Sequence, residues 1–585
     1  MKLDIHRGNY DDKSIFRRLQ PKIKKAYQKE NDLEFQIIDW YTYDHDEDNS
    51  ESEEEKYDSD NEPIKKEVVD NKKYIIQLFG ITKTGKSVSC KITEFNTYFY
   101  FLFPQEWKKN KLGEFIKYLK KKVYYKFKNS IVNYKIVRRK KFRGFTNNEE
   151  FKFCKLYFNN KEAMNKYKRS LDKIKDRKDR IVGLGALDVE VWDFIDPMLR
   201  FIHEKNLNAA GWVKIPKNGY QLTTKENEKE TYCQIEAECK CDNIELLERE
   251  EVAPIIQASY DIEADSSHGD FPLAVKDYRK LYIDIINYLV GSERQMKKLE
   301  TQISLEKDKT KKEELREKYQ NIDKKLKEPE LFERLIHLAF RNDPNEKNED
   351  DIHFIYNKIN KKIKLPQRPK EKDIKHVCDK LREKKYFKEI MGIRKIKNAR
   401  IIKAEDYFTK DVDDDDIDEE DKKFNKQIEK YSNKIVKIFN RNFPPIEGDK
   451  VIQIGTTVQK YGEPNCYLKH IICLEGVNPI ENAYVETYST EEEVLLAWRR
   501  FIIDLDPDIM TGYNIFGFDF RYMYNRAQEL GIIDKFSLLS REKNLQCDLV
   551  ENKLSSSALG ENFLYFIGHL NYKKDETNVD VNFID

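Results

Sequence analysis

Pro254-Ile-Ile-Gln-Ala-Ser-Tyr260 runs directly into Asp261-Ile262-Glu263. The apolar part is short and bracketed by turn-forming residues, which reads as a buried strand. Side chains alternate along a strand, so Asp261 and Glu263 point to one face and Ile262 to the other. Two carboxylates on one face repel unless a cation lies between them, and hard oxygen donors suit Mg²⁺ or Mn²⁺. The competing reading is a solvated acidic strand end, in a chain of which 37% is charged.

A second segment supplies a third carboxylate. Thr490-Glu-Glu-Glu493 has the form of a capping box. Val494, Leu495, Trp498, Phe501, Ile502 and Leu505 then mark one helix face. Pro507 stops that helix, Asp508–Asn514 reads as a strand, and a further helix is expected from near Phe518 to a stop at Gly531. Asp519 falls in its first turn, where it can face the same cleft as Asp261 and Glu263. Between the motifs, Val451–Val458 and Cys466–Cys473 are β-rich runs separated by a turn at Tyr461-Gly-Glu-Pro464. The expected order is β-β-β-α-β-α, an α/β layer architecture. Three carboxylates so placed are the beginning of a two-metal site for phosphodiester hydrolysis.

The D-I-E segment at 261–263 and Tyr513-Asn514-x-x-x-Phe518-Asp519 resemble the first two exonuclease motifs of the family B DNA polymerases. Lys553–Asn562 resembles a stretch that delta-type members carry after the second motif. Tyr74–Gly80, Gly85–Val88, Tyr98–Tyr100, Pro104 and Pro197–Leu207 with Gly211-Trp212 resemble the opening β-rich domain of delta-type polymerases. Within the last of these, Asp196 is expected to cap a helix with Pro197 at its first position. Residue usage rich in Lys, Asn, Ile and Tyr resembles polymerases of large nucleocytoplasmic DNA viruses.

The resemblance implies an α+β multidomain chain. Its expected parts are a β-rich N-terminal domain at 1–250, with an acidic disordered loop at about 44–65, and a ribonuclease H-like 3′→5′ exonuclease domain. The latter would be formed by 251–276 plus 448–585 and be incomplete at its C-terminus, with 277–447 as a charged helical insertion ending in an acidic linker. It further implies two Mg²⁺ or Mn²⁺ ions held by Asp261, Glu263 and Asp519, with Asp261 shared by both ions, Glu263 near the attacking water and Asp519 on the other ion. Tyr513, Asn514 and Phe518 would contact DNA. The implied partners are a single-stranded 3′ end, a primer–template, the remainder of the polymerase on the same or a second chain, and a sliding clamp. The implied location is intracellular: nucleus, cytoplasm or a cytoplasmic virus factory.

The family's exonuclease site has a fourth carboxylate, in a Tyr-x-x-x-Asp segment downstream. After Asp519 the sequence has no Y-x-x-x-D; Tyr572-Lys-Lys-Asp575 is one residue short. Polymerase motifs of the D-x-x-S-L-Y-P and Y-G-D-T-D type are absent as well. The expectation is a front portion of a polymerase that, alone, binds DNA weakly and is a poor or inactive nuclease. The alternatives are a DNA-binding or assembly module with a decayed site, and a stand-alone nuclease that takes its last carboxylate from elsewhere.

At 585 residues the chain has room for three or four domains. Mean hydropathy is −0.82, no run of eighteen apolar residues exists, and Met1–His6 lacks a secretory apolar stretch. Nine scattered cysteines suit a reducing compartment. The net charge of +2 conceals basic runs at Lys120–Lys122 and Arg138–Arg143 and acidic ones at Asp44–Asp60 and Asp411–Asp421. The basic runs interleave with Tyr124, Tyr125, Phe127 and Phe142, which suits either phosphate neutralisation with base stacking or a solvated face over ordinary core aromatics. In 277–447, Leu315, Tyr319, Ile322 and Leu326 have heptad-like spacing, which fits a helical subdomain or a simpler helical linker pair.

Three features are decoys. Gly80-Ile-Thr-Lys-Thr-Gly-Lys-Ser87 matches a phosphate-binding loop pattern, but an alternating β-branched run follows where a helix is needed, so a hairpin with Gly85 in its turn is expected. Cys233, Cys239 and Cys241 lack paired zinc-ligand spacing. His268 is a loop residue that two-metal hydrolysis does not need.

Overall fold

The structure is a computed structural model. It describes residues 6–7, 31–46, 70–141, 143–177, 180–181, 185–186, 189–192, 195–266, 271–343, 346, 350–355, 359–360, 365–393, 432–515, 517–556 and 560–567. It is a mixed α/β chain with several sheets, and among the described residues no helix is long and apolar enough to cross a membrane.

The sheet that carries Asp261 is built from β1 (Ile256–Asp265), β2 (Lys450–Lys460), β3 (Leu468–Leu474), β4 (Tyr484–Tyr488) and β5 (Ile509–Thr511). Their order is β4-β3-β2-β1-β5, with His6–Arg7 added in parallel outside β4. β1 pairs antiparallel with β2 and parallel with β5. Helix α1 (Glu491–Leu505) follows β4, and α2 (Asp519–Leu530) follows β5. Trp498 of α1 lies 5.0 Å from the Tyr260 ring and Phe520 of α2 lies 5.2 Å from it, so both helices press on the buried face of β1.

Several expectations change in detail. β1 does not stop at the carboxylates: its pairing with β2 continues to Asp265↔Lys450, with a register shift between Glu263 and Ala264. The strand expected at 508–514 is confined to Ile509–Thr511. The expected β-β-β-α-β-α order gains β4. That strand places Glu486 in a buried position, where it accepts from Tyr488 OH and lies 3.2 Å from His470 Nε2. An internal glutamate with such partners is compatible with a strand, although charge alone argues against one.

The N-terminal part contains a seven-stranded sheet and a four-stranded one. The hairpin Lys72–Ile81/Ser87–Thr93 occupies the phosphate-loop lookalike, with Gly85 at φ +79° in its turn. The acidic loop expected from residue 44 does not begin there, since Leu33–Asp46 is a strand. Asp44 there accepts from the N–H groups of Lys161 and Glu162 at 2.9 and 2.8 Å, satisfying the start of the helix Lys161–Arg177. Residues 47–65 lie outside the described residues. Asp196 caps Pro197–Glu204 by accepting from Met198 N at 2.8 Å. Phe127 is core, whereas Tyr124 and Tyr125 are exposed; Phe142 lies outside the described residues.

Residues 277–447 are more than a helical pair. Arg279–Leu305 and Lys309–Lys327 are joined by Leu331–Ala339, Glu371–Arg382, Lys384–Ile393 and a helix at 432–442. They share one apolar core, including Leu281, Leu289, Leu335, Val377 and Phe439. Its two ends meet: Tyr278 OH donates to Pro444 O at 2.6 Å, and the Phe443 ring lies 5.3 Å from Tyr278. Tyr319, Ile322 and Leu326 face this core as their spacing implied, whereas Leu315 of the same set is not among the residues packed against it. The acidic run 411–421 and His268 lie outside the described residues.

Candidate active site

β5 ends at Thr511, two residues short of the level of Asp261, because its last partner on β1 is Ser259. The edge of β1 is therefore open at Ile262. Asp519, the first residue of α2, takes the place of a strand there: its Oδ1 accepts from Ile262 N at 3.1 Å. The connection is tight. A Cβ on Gly512 would stand 2.4 Å from Tyr260 O, so only glycine lets the chain cross β1 at that point. Asn514 follows at φ +53°, and its carbonyl accepts from Phe518 N at 3.0 Å, turning the chain into α2.

Asp261 and Glu263 are exposed on one face of β1 with Ile262 buried behind them, as the alternation predicts. Asp519 is 1% exposed, and its carboxyl lies against that of Asp261. Its carboxyl is pushed up to about 6, chiefly by burial; the Ile262 N–H opposes this, and the Asp261 charge adds to it. Asp261 and Asp519 are thus brought together, with Glu263 one strand repeat further along. Among the described residues, the group of three whose ligand atoms all lie within 4.8 Å is another one, Glu333, His337 and Glu371 on the helices of 277–447. The three sequence-selected carboxylates form a more open arrangement. Cys233, Cys239 and Cys241 join no such group among the described residues; Cys239 Sγ instead lies 3.9 Å from Cys90 Sγ.

The oxygen-only donor set of Asp261, Glu263 and Asp519 fits a hard divalent cation. So does the buried Asp519 carboxyl held against Asp261, since a cation would relieve that repulsion.

Tyr513, on the connection between β5 and α2, is 93% exposed. Phe518 packs on Tyr522 at 5.2 Å and on Phe271 at 5.6 Å. Phe271, itself exposed, was missed by sequence reasoning, and nothing local marks it as belonging with a residue so distant in the chain. Behind the sheet, Arg526 of α2 donates Nε and Nη2 to Glu491 of α1 at 2.9 and 2.7 Å, and Nη1 to Glu529 at 2.7 Å. Glu491 Oε1 also accepts from Val451 N at 2.9 Å. This buried network joins both helices to the start of β2, where the chain returns from 277–447. Its sequence signal is slight, for Glu491 reads simply as an acid in a first helical turn.

Below the sheet, Arg541 binds Asp506 and Asp508 at 2.7 and 2.6 Å. The next residue, Glu542, reaches the N-terminal seven-stranded sheet and accepts from Gln77 Nε2.

The chain is similar over most of its length to known DNA polymerases. The DNA polymerase of Pyramimonas orientalis virus is 31% identical over 545 residues, covering 91% of this chain and 39% of that protein. That of Phaeocystis pouchetii virus is 27% identical over 568 residues, covering 90% and 50%. The DNA polymerase delta catalytic subunit of Dictyostelium discoideum is 41% identical over 118 residues, 20% of this chain and 11% of that one. The chain thus spans half or less of the length of these relatives. The family model for the DNA polymerase family B exonuclease domain matches residues 189–412 and 389–572, so the chain belongs to DNA polymerase family B and carries its exonuclease domain.

Proposed function

We propose that the chain is the N-terminal and proofreading portion of a DNA-directed DNA polymerase acting in DNA replication, and that Asp261, Glu263 and Asp519 serve 3′→5′ exonucleolytic hydrolysis. The observation that carries this reading is the placement of Asp519 at the open edge of β1, against Asp261. The division proposed is a β-rich N-terminal domain at 1–250, a ribonuclease H-like exonuclease domain at 251–276 plus 448–585, and a helical insertion at 277–447.

Asp261, Glu263 and Asp519 would hold two divalent cations, Mg²⁺ or Mn²⁺, whose chemistry is to activate the attacking water and stabilise the leaving 3′-oxygen. By the family resemblance Asp261 would serve both ions, Glu263 the one nearer the attacking water and Asp519 the other. The Ile262 N–H fixes the Asp519 carboxyl, so this group is oriented before substrate arrives. Tyr513, Phe518 and Phe271 offer rings for the unpaired bases of a 3′ end, with Tyr513 exposed on the connection that leads into Asp519.

The fourth carboxylate of the family is not in a Tyr-x-x-x-Asp segment of this sequence, and Tyr572 and Asp575 lie outside the described residues. On that ground the polypeptide alone is a slow nuclease, and synthesis and full proofreading require the remainder of the polymerase, on the same or a second chain. The test is release of 3′ nucleotides from 5′-labelled single-stranded DNA with Mn²⁺ or Mg²⁺. Slow release that Asp261→Ala abolishes supports the reading. DNA binding with neither metal-dependent release nor any stabilisation by Mn²⁺ would replace it with a binding or assembly module.

A further inference from the structure

The four-stranded sheet of the N-terminal part has the order 190–192, 97–102, 150–158, 131–140. Its outer strand, Ile131–Lys140, is paired on one side only, and Arg138, Arg139 and Lys140 at its end are exposed. Lys141 and Arg143 follow, so five of the six residues from 138 to 143 are cations. Gly144 at φ +81° then turns the chain, and Phe145 stands at the tip with 96% of its surface exposed.

Cations on an edge strand discourage edge-to-edge pairing, which accounts for basic residues here. It does not account for a fully exposed phenylalanine beside them. Arg138, Arg139 and Lys140 have no ion-pair partner among the described residues. Lys141 Nζ lies 4.5 Å above the Phe151 ring, and Arg143 lies 5.5 Å from Trp192 and 3.9 Å from Glu190. Glu149 and Glu150, where the return strand begins, are exposed and leave the cluster positive. A dense cation cluster neutralises phosphates, and an exposed ring stacks on a base without regard to its identity.

We propose that the hairpin 131–158 is a second nucleic-acid contact, in which Arg138, Arg139, Lys140 and Arg143 neutralise phosphates of single-stranded DNA and Phe145 stacks on one base. The proposal takes from the preceding section only the choice of DNA as ligand; it involves no cleavage and no metal.

The test is binding of a fluorescent oligothymidylate to the full chain in EDTA, over a series of salt concentrations. Arg138→Glu with Arg139→Glu is expected to weaken binding at least tenfold and to lower the salt slope by roughly 1.4, at about 0.7 per phosphate contact on a single strand. Phe145→Ala is expected to weaken binding about tenfold with the slope unchanged, the signature of lost stacking. Both sites are exposed, and an unchanged melting temperature verifies folding. Unaltered affinity in both variants would overturn the proposal. Loss in the charge variant alone, with heparin competing as well as DNA does, would also overturn it, leaving a general polyanion patch. Equal binding of an RNA oligomer would overturn the choice of DNA. Failure of metal-dependent cleavage, with these losses intact, would count against the nuclease reading and leave the hairpin contact standing.

Discussion

Asp519 Oδ1 accepts from Ile262 N at 3.1 Å, completing the edge of β1 at the point where β5 has run out. Under the proposed function this carboxylate has two duties, a structural one through this bond and a chemical one beside Asp261. The two are separable. Asp519→Asn can keep an acceptor for Ile262 N while removing the charge. It is expected to leave unfolding by urea unchanged or slightly more favourable to the native state, and to abolish both the thermal stabilisation by Mn²⁺ and 3′ release. Asp519→Ala also strands a buried N–H, with an expected loss of about 1–3 kcal/mol. Equal destabilisation by both changes would refute the division of roles.

The buried pair Arg526–Glu491 is predicted to matter for stability. Arg526 is 0% exposed and Glu491 3%, so removing either partner leaves a charge with part of its network gone. Arg526→Ala or Glu491→Ala should cost about 3–5 kcal/mol. The double variant should cost less than the sum, since neither Arg526 nor Glu491 is left facing the other's absence, while Glu529 loses its Arg526 partner in the single Arg526 variant and the double variant alike. Calorimetry of the four proteins tests this, and strict additivity would refute it.

The pH dependence should centre on Glu542. Burial pushes its carboxyl up to about 7; Glu230 and Glu236 act in the same direction, while the Gln77 hydrogen bond and Lys91 oppose them. An unfolded glutamate titrates at about 4.3. Between those values the native state holds a proton that the unfolded state has lost, so its contribution to stability is fully present below about 4.3 and disappears as pH rises through about 7. Glu542→Gln is expected to flatten the fall in melting temperature over that window and to raise it at pH 8. A wild-type melting temperature that rises from pH 5 to pH 7.5, with the variant parallel to it, would show that Glu542 does not titrate this way.

Much of the local structure around the candidate site could be read from sequence because its determinants are local. The Thr490–Glu493 capping box forms, Gly531 ends α2 in the left-handed region at φ +74°, and the period of two separates Asp261 and Glu263 from Ile262. What escaped the reading depends on pairing across the fold. β4 is inconspicuous because its buried Glu486 becomes tolerable only through His470, Tyr488 and Arg500, from a neighbouring strand, its own strand and α1. The Arg526–Glu491 pair and the Phe271–Phe518 contact join residues that no window of sequence contains. Asp44 looked like the start of an acidic loop because its partners, two backbone N–H groups of a helix, lie over a hundred residues on.

Gly512 offers a test of how the connection between β5 and α2 sets the site. A Cβ there would stand 2.4 Å from Tyr260 O and 2.4 Å from Ile515 Cγ2. Tyr260 immediately precedes Asp261 and is clamped by Trp498 and Phe520, so the strand cannot yield without disturbing the core. The 512–515 segment must move instead, and it carries Tyr513 and leads into Asp519. Gly512→Ala is therefore expected to cost about 1–3 kcal/mol as overpacking and to weaken Mn²⁺ stabilisation, although no ligand is changed. Gly462, at φ +85° in the β2–β3 turn with nothing near its Cβ position, is the control. Gly462→Ala should lower stability by backbone strain alone and leave the Mn²⁺ effect intact. If both variants lose that effect equally, the close crossing at Tyr260 is not what positions Asp519.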